Sequence, residues 1–400
     1  MQETPFKPAK IGIVLSSIPA YSETFFRNKI RGLQDCGFEV VLFVDYTSEQ
    51  DADAPCEVVG NLDVHAGIFK LLASFVTVLL KTLFVHPKRS FRLYQLERAD
   101  GLTVKQSFRS LVLNAYLLGH DLDWLHYGFG MRAVGCENVA AAIQAKMAVS
   151  FRGFDLYLSP LKHLGCYDRL FQKQVRYHVL SEEMKQTLLD YNISKSAIKV
   201  ITPAIDVDFF KSEQLSPIPN QTIQFITVAR LHWKKGLVYT LEALAILKAQ
   251  GLPFRYQIIG AGEELERLLF AVHQLGLTDE VVFLGKLPQT EIRSHLTQSH
   301  LYLQYSIQEG FCNAVLEAQA MGLLCIVSNA EGLAENVLHE HTGWVVTKRR
   351  PELLAQRIVE VLKLPEAEIQ QFRTTAIARV REQFNLEKQQ CEFFEFYTVK

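Results

Sequence analysis

The chain has 400 residues, 48% hydrophobic and 21% charged, with a net charge of −1, which excludes a disordered segment and a polycation. The length exceeds one ordinary core and suits two domains with a cleft between them. The charge balance makes no global case for nucleic acid, so any phosphate binding must be local.

Seven scattered cysteines with no Cys-x-x-Cys pair read as a reduced, cytoplasmic protein. The start MQETPFKPAK runs directly into the apolar stretch Ile11–Leu15 without the layout of a signal peptide. That stretch predicts a buried parallel strand. Ser22 can cap a helix whose apolar positions Phe26, Ile30 and Leu33 recur at i, i+4 and i+7, and Glu39–Val44 predicts a second strand. No glycine occupies the turn after the first strand, so an ordinary dinucleotide site there is not expected.

Ile68–Val85 is the most apolar stretch, but Lys70 and Lys81 leave too short an uncharged run to span a bilayer. Lys70, Ser74, Thr77 and Lys81 form one polar stripe, followed by Lys88, Arg89 and Arg92. Two readings stand: a buried crossover helix with a solvated edge, which apolar helices favour, and an interfacial helix on anionic lipid.

Trp124-Leu125-His126 predicts a strand ending at Tyr127-Gly128-Phe129-Gly130, the strand end where open α/β sheets gather functional groups. His126 is either a cleft residue or a hydrogen-bonded structural histidine. Met147–Phe151 predicts another strand leading to Arg152 and Asp155, where Arg152 either faces the cleft or pairs with Asp155. Ile198–Ile201 is a further strand, and Ser212–Gln221 reads as a linker.

In the second half, the strand Ile223–Val228 precedes Arg230-Leu231-His232-Trp233-Lys234-Lys235-Gly236. Two cations flanking a strand-to-helix loop can clamp a diphosphate, Arg230 bidentately and Lys235 as a point charge. Arg255–Ile259 and Gly260-Ala261-Gly262 form half of a glycine-rich fingerprint, in which the glycines let a ligand approach the backbone. Val281–Leu287 is a strand and its exit. Leu301–Gln304 leads into EGFCNAVLEAQAMG, a loop–helix unit with Glu309 on the loop and Glu317 in the helix. Helix-start N–H groups suit an anion. Glu317 can accept from ribose hydroxyls and Glu309 from hydroxyls of a second group, the order of parts in a nucleotide-sugar.

The Glu-x7-Glu spacing, together with Gly310, Phe311, Asn313, Leu316, Ala318 and Gly322, resembles the donor motif of family 4 retaining glycosyltransferases, also called group 1, and within them the subgroup of bacterial exopolysaccharide biosynthesis. Arg230-x4-Lys235-Gly236 resembles the same family's diphosphate loop. Departures are Cys312 where relatives usually carry Pro, Pro203-Ala204 in place of Asn-Gly, Glu331 at a glycine position, and no Gly-Gly pair in the first loop.

The resemblance implies the α/β B-type architecture: two Rossmann-like domains facing across a cleft, an acceptor-side domain at 1–210 and a nucleotide-sugar-binding domain at 211–382, with 383–400 crossing back to the first. It implies a retaining hexosyltransferase moving glucose from UDP-glucose to a sugar or lipid-linked oligosaccharide acceptor in extracellular polysaccharide biosynthesis. Front-face attack then needs no enzymic nucleophile. Implied donor contacts are Gly260, Gly262, Lys286, Leu287, Glu309, Gly310, Phe311, Cys312, Asn313 and Glu317 with the Arg230 and Lys235 clamp, and His126 on the sugar. Ser22, Glu23, Thr24, Arg152 and Asp155 are expected on the acceptor side, and Glu335 as a supporting residue.

None of the pairs Asp51/Asp53, Asp121/Asp123 and Asp206/Asp208 joins a strand to a nucleotide site, so no metal and no other cofactor is expected. Expected partners are the donor, the acceptor and the inner face of the cell membrane. The competing readings are a nucleotide-sugar-binding protein without catalysis and a nucleotide-dependent oxidoreductase.

Overall fold

The computed structural model of the chain describes residues 9–19, 24–45, 54, 56–61, 68–212 and 221–398, with the side chains of 24 and 68–74 outside the description. The described residues form two compact units, one from within 1–179, 184–201 and 390–400, the other from within 180–183 and 202–389.

The first unit holds seven strands: β1 Lys10–Val14, β2 Glu39–Val44, β3 Glu57–Gly60, β4 Trp124–Tyr127, β5 Lys146–Ser150, β6 Val175–Val179 and β7 Ile198–Val200. They lie in the order β3-β2-β1-β4-β5-β6-β7, all parallel. β1, β4 and β5 are almost wholly buried, His126 and Ser150 included, because helices cover both faces of such a sheet. Helix α1 (Thr24–Asp35) buries Phe26, Ile30 and Leu33, the spacing read from the sequence. Strand β3 has no counterpart in the sequence reading, because Glu57-Val58-Val59-Gly60 is a short edge strand with neither alternation nor a long apolar run.

Three further helices follow β3: α2 Ile68–Val85, α3 Pro87–Ala99 and α4 Val104–Leu113. The final helix, Leu386–Thr398, sends Phe393, Phe396 and Tyr397 into the first unit's core beside Ile11, Phe38 and Trp124.

The second unit has six strands: β8 Ile223–Val228, β9 Phe254–Ile259, β10 Val281–Gly285, β11 Leu301–Gln304, β12 Leu324–Ser328 and β13 Trp344–Val346. Their order is β10-β9-β8-β11-β12-β13, again all parallel. The order reverses between β8 and β11, and the loops at the carboxyl ends of these two strands carry the Arg230–Gly236 and Glu309–Asn313 segments. Such a switch point is where open α/β sheets bind ligands. The chain passes between units at Ile201/Thr202 rather than at 210/211, since Ile205 donates its N–H to Phe384 O at 2.9 Å and so lies with the second unit. The return is at Gln389/Gln390 rather than 382/383.

Candidate functional site

Two of the residues singled out in the sequence, Lys235 and Glu309, meet in the second unit. Lys235 forms an ion pair with Glu309, and both side chains are less than a fifth exposed. Burial disfavours the Lys235 ammonium, but the Glu309 carboxylate outweighs it and holds the lysine above its ordinary range. Ser306 Oγ lies 3.4 Å from the same carboxylate. Arg230 is exposed and has no carboxylate within ion-pair range among the described residues. One cation is therefore balanced by an acid and the other is available to a ligand.

The Glu309 main chain is also held. Its N–H donates to Glu331 Oε2 at 3.0 Å, and Lys348 Nζ lies 3.0 Å from Glu331 Oε1. Gly332 N–H returns a bond to Glu309 O at 3.0 Å, and a Cβ on Gly332 would lie 1.9 Å from Gly310 O. The loops after β11 and β12 are thus stitched together by main-chain contacts and one buried-side carboxylate. The residue at the departed glycine position, Glu331, has become a structural partner of Glu309. Sequence reading gave Glu331 and Lys348 no role.

Cys312 stands before the helix Asn313–Ala320 with extended backbone. Its N–H donates to Asn336 Oδ1 at 2.9 Å, and Asn336 Nδ2 donates to Cys312 O at 3.0 Å. A proline here could not make the first bond, so fully buried Asn336 does the pinning that ring rigidity would otherwise supply. Burial pushes the Cys312 thiol up to about 12, which makes it an unreactive packing residue. Phe311 is buried with its ring 5.7 Å from Phe384, so of the loop residues Gly310, Phe311, Cys312 and Asn313 only Asn313 is not buried. Glu317 lies in the helix, partly buried, and desolvation alone pushes its carboxyl up to about 7. That is the signature of an acid with no resident cation.

Two glycines and Glu335 on this side have structural roles. Cβ atoms added to Gly260 and Gly262 would lie 1.9 Å from Ala229 O and 2.1 Å from Leu231 O. These glycines therefore admit the Arg230 loop against the 260–264 loop, and close approach of a ligand is not needed to explain them. Glu335 accepts from the N–H groups of Glu182 and Glu183 at 2.9 and 3.0 Å, a capping role that leaves both its oxygens engaged. Lys286 is exposed and Leu287 half-buried just after β10, whose Gly285 O accepts from Gly260 N–H. Lys234, which sequence reading passed over, is 9% exposed, and its carbonyl accepts from Ile307 N–H at 2.7 Å.

In the first unit, His126 is fully buried and does not face an open surface. His178 Nε2–H donates to Ile201 O (3.1 Å), so its Nδ1 accepts from Ser150 Oγ–H (2.7 Å). Ser150 Oγ then accepts from His126 Nε2–H (2.7 Å), and His126 Nδ1 accepts from Tyr397 O–H. Burial, and then the nearby Lys29 charge, hold both imidazoles well below their ordinary range. The expected sugar contact is corrected: His126 is the middle of a buried chain that fastens the last helix to the sheet.

Arg152 lies with its guanidinium 4.0 Å from the Phe25 ring centre and 5.1 Å from that of Phe26. Asp155 is buried, accepting from the backbone N–H groups of Met131 and Arg152 at 3.3 Å each, and desolvation raises its carboxyl to about 6. Asp155 is thus a loop-fixing acid. Ser22 and Glu23 lie outside the described residues; Thr24 begins α1, its side chain outside them.

Comparison with known proteins agrees with this geometry. The profile of the family "Glycosyl transferases group 1" matches residues 208–379. The amylovoran biosynthesis glycosyltransferase AmsK of Erwinia amylovora is 26% identical, with 94% of this chain and 96% of AmsK covered. WcaL of Escherichia coli K12, provisionally named a colanic acid biosynthesis glycosyltransferase, is 27% identical with the same coverage. Among solved structures, Anabaena Alr3699/HepE in complex with UDP and glucose superposes with a TM-score of 0.72 at 16% identity, covering 98% of this chain and all of that one. The chain thus shares the B-type fold of solved glycosyltransferases, and the part of it that matches the group 1 glycosyltransferase family lies in the second unit, with Arg230, Lys235, Glu309 and Glu317.

Proposed function

We propose that the protein is a retaining hexosyltransferase that moves glucose from UDP-glucose to a sugar or lipid-linked sugar acceptor during extracellular polysaccharide biosynthesis in the cytoplasm. The observation that carries this reading is the pairing of Lys235 with Glu309 beside an Arg230 that has no acid partner among the described residues. A diphosphate entering this loop meets Arg230 first and then shares Lys235, which frees the Glu309 carboxylate for hydroxyls of the sugar. Glu317, desolvated and without a cation among the described residues, suits neutral ribose hydroxyls better than an ion.

The cations act on the charge that develops as the sugar–phosphate bond breaks, the stage at which fixed electrostatics lower a barrier most. A phosphate oxygen of the leaving diphosphate takes the acceptor proton in front-face attack, so no side chain is assigned as nucleophile. The positive charge is supplied by side chains, and turnover is expected to continue in EDTA. The polysaccharide assignment is supported by the names of AmsK and WcaL, and the donor by the UDP and glucose bound to HepE.

The test is UDP release from UDP-glucose with and without sugar acceptors. Arg230→Ala and Lys235→Ala should each lower kcat/KM by about a hundredfold or more, as removal of a charge-stabilising donor does elsewhere. Full turnover in either variant overturns the clamp. No release from any nucleotide-sugar would leave a binding protein without catalysis.

A further inference from the structure

Helices α2, α3 and α4 bury Leu93, Leu111 and Val112 and also present a second apolar face outward. Their buried positions include Ser90, Glu97, Ser107 and Ser110, with the Ser110 hydroxyl donating to Glu97 at 3.1 Å. Their exposed positions include large apolar side chains: Phe84 is 81% exposed, Phe91 61%, Val76 55% and Leu80 50%. Val76, Leu80 and Phe84 recur every four residues and make one stripe on α2, with Lys81 and Val85 beside it. α3 continues outward with Lys88 and Phe91. α4, which packs against both α2 and α3, exposes Val104, Lys105, Phe108 and Arg109. Of the polar stripe read from the sequence, the side chains of Lys70 and Ser74 lie outside the described residues. Thr77 and Lys81 sit within an exposed apolar surface.

The charge of this layer is equally lopsided. From Ile68 to Gly119 the sequence has eight Lys and Arg against two acids, Glu97 and Asp100, in a chain whose net charge is −1. Both acids are committed to Arg169, and Asp100 also to Lys173. Lys81, Lys88, Lys105 and Arg109 are exposed, with no carboxylate in ion-pair range among the described residues. A second copy of the chain docked by two-fold symmetry would set these like charges against one another. An anionic surface would neutralise them.

We infer that the α2–α4 layer is a docking surface for an anionic lipid bilayer, its Phe, Leu and Val side chains entering the headgroup boundary and its Lys and Arg side chains meeting lipid phosphates. Among the described residues no helix is long and apolar enough to cross a membrane, so the layer lies on the bilayer rather than in it. The inference extends the acceptor reading, which includes a lipid-linked sugar, but rests on no step of catalysis.

The experiment is co-sedimentation of the full chain with vesicles of phosphatidylcholine alone or with about 30% phosphatidylglycerol, at low and high salt. Binding is expected only with phosphatidylglycerol and weaker at high salt. Leu80→Ser/Phe84→Ser/Phe91→Ser and Lys81→Glu/Lys88→Glu/Lys105→Glu should each weaken it at least tenfold, with circular dichroism and melting temperature unchanged. Absence of binding to anionic vesicles, binding by either variant as tight as that of the unsubstituted chain, or a dimer that Phe84→Ser converts to monomer each overturns the inference. No nucleotide-sugar is present, so failure here leaves the transferase reading to the UDP-release assay.

Discussion

Glu309 is held through its side chain by Lys235 and through its main chain by Glu331, and mutation can separate the two. Glu331→Ala leaves the Glu309 N–H without its acceptor and Lys348 without its acid, a loss worth about 1–3 kcal/mol. If it misplaces Glu309 only where the sugar reacts, kcat falls about tenfold with UDP affinity within about twofold, and Glu331→Gln, which keeps an acceptor, recovers most of it. Unchanged kcat in Glu331→Ala would deny it a positioning role. The double variant with Glu309→Ala should be no worse than Glu309→Ala alone.

Glu317 brings a pH signature. Its ordinary value is 4.5 and burial raises it to about 7, so between those values the folded state binds more protons than the unfolded. Its contribution to stability accordingly grows as pH falls from about 7 toward 4.5. Donor binding runs the other way, because the carboxylate accepts ribose hydroxyls best when ionised. UDP affinity should drop as pH falls through about 7, and calorimetry on Glu317→Gln should show a flat profile at a weaker level. A pH-independent affinity in the parent protein would remove Glu317 from the ribose site. Arg230, Lys235, Glu309 and Glu317 were legible in the sequence through the motifs that carry the family resemblance, whereas the Lys235–Glu309 pair appears only in the fold. The Glu331–Lys348 brace was not legible either, since it requires β12 and β13 to lie side by side.

At the scale of elements, the last helix is fastened by Tyr397, His126, Ser150 and His178 in a single donor-to-acceptor run. Both histidines have depressed values in the fold and about 6.5 when unfolded. Their contribution is therefore complete above about 6.5 and is lost as pH falls through their folded values. Tyr397→Phe removes the hydroxyl donated to His126, costing about 1–2 kcal/mol and softening that acid limb, as thermal unfolding at several pH values would register. Deleting 390–400 removes Phe393, Phe396 and Tyr397 from the core, each worth about 2–3 kcal/mol, and should leave the first unit unfolded by circular dichroism. The helix itself was legible as an aromatic segment. Its hold on His126 was not, because the partners are 271 positions apart.

For the whole molecule, each unit has its own sheet and its own apolar core. The residues proposed to hold the nucleotide, Arg230, Lys235, Glu309 and Glu317, all belong to the second unit. A ligand that binds only the folded form of one unit stabilises that unit by mass action. Scanning calorimetry should therefore show UDP raising the transition of the second unit while the first keeps its midpoint. An equal rise in both would mean that the units melt as one or that the first also binds the ligand.

By itself the sequence determined two runs of buried parallel strands and the loops at their ends, because apolar runs, caps and glycine punctuation are local properties of neighbouring residues. It also placed Arg230, Lys235 and Glu309 on those loops and Glu317 in the helix that follows, through their resemblance to a family's motifs. Only the tertiary structure decided which polar groups are buried and with whom. Strand order set β4 between β1 and β5 and the returning helix closed over it, turning His126 from a strand-end candidate into a buried link. The same kind of long-range placement turned Glu331 toward the Glu309 main chain. It also left Phe84 and Phe91 facing outward. Burial and pairing depend on elements far apart in the chain, and no local pattern encodes that order.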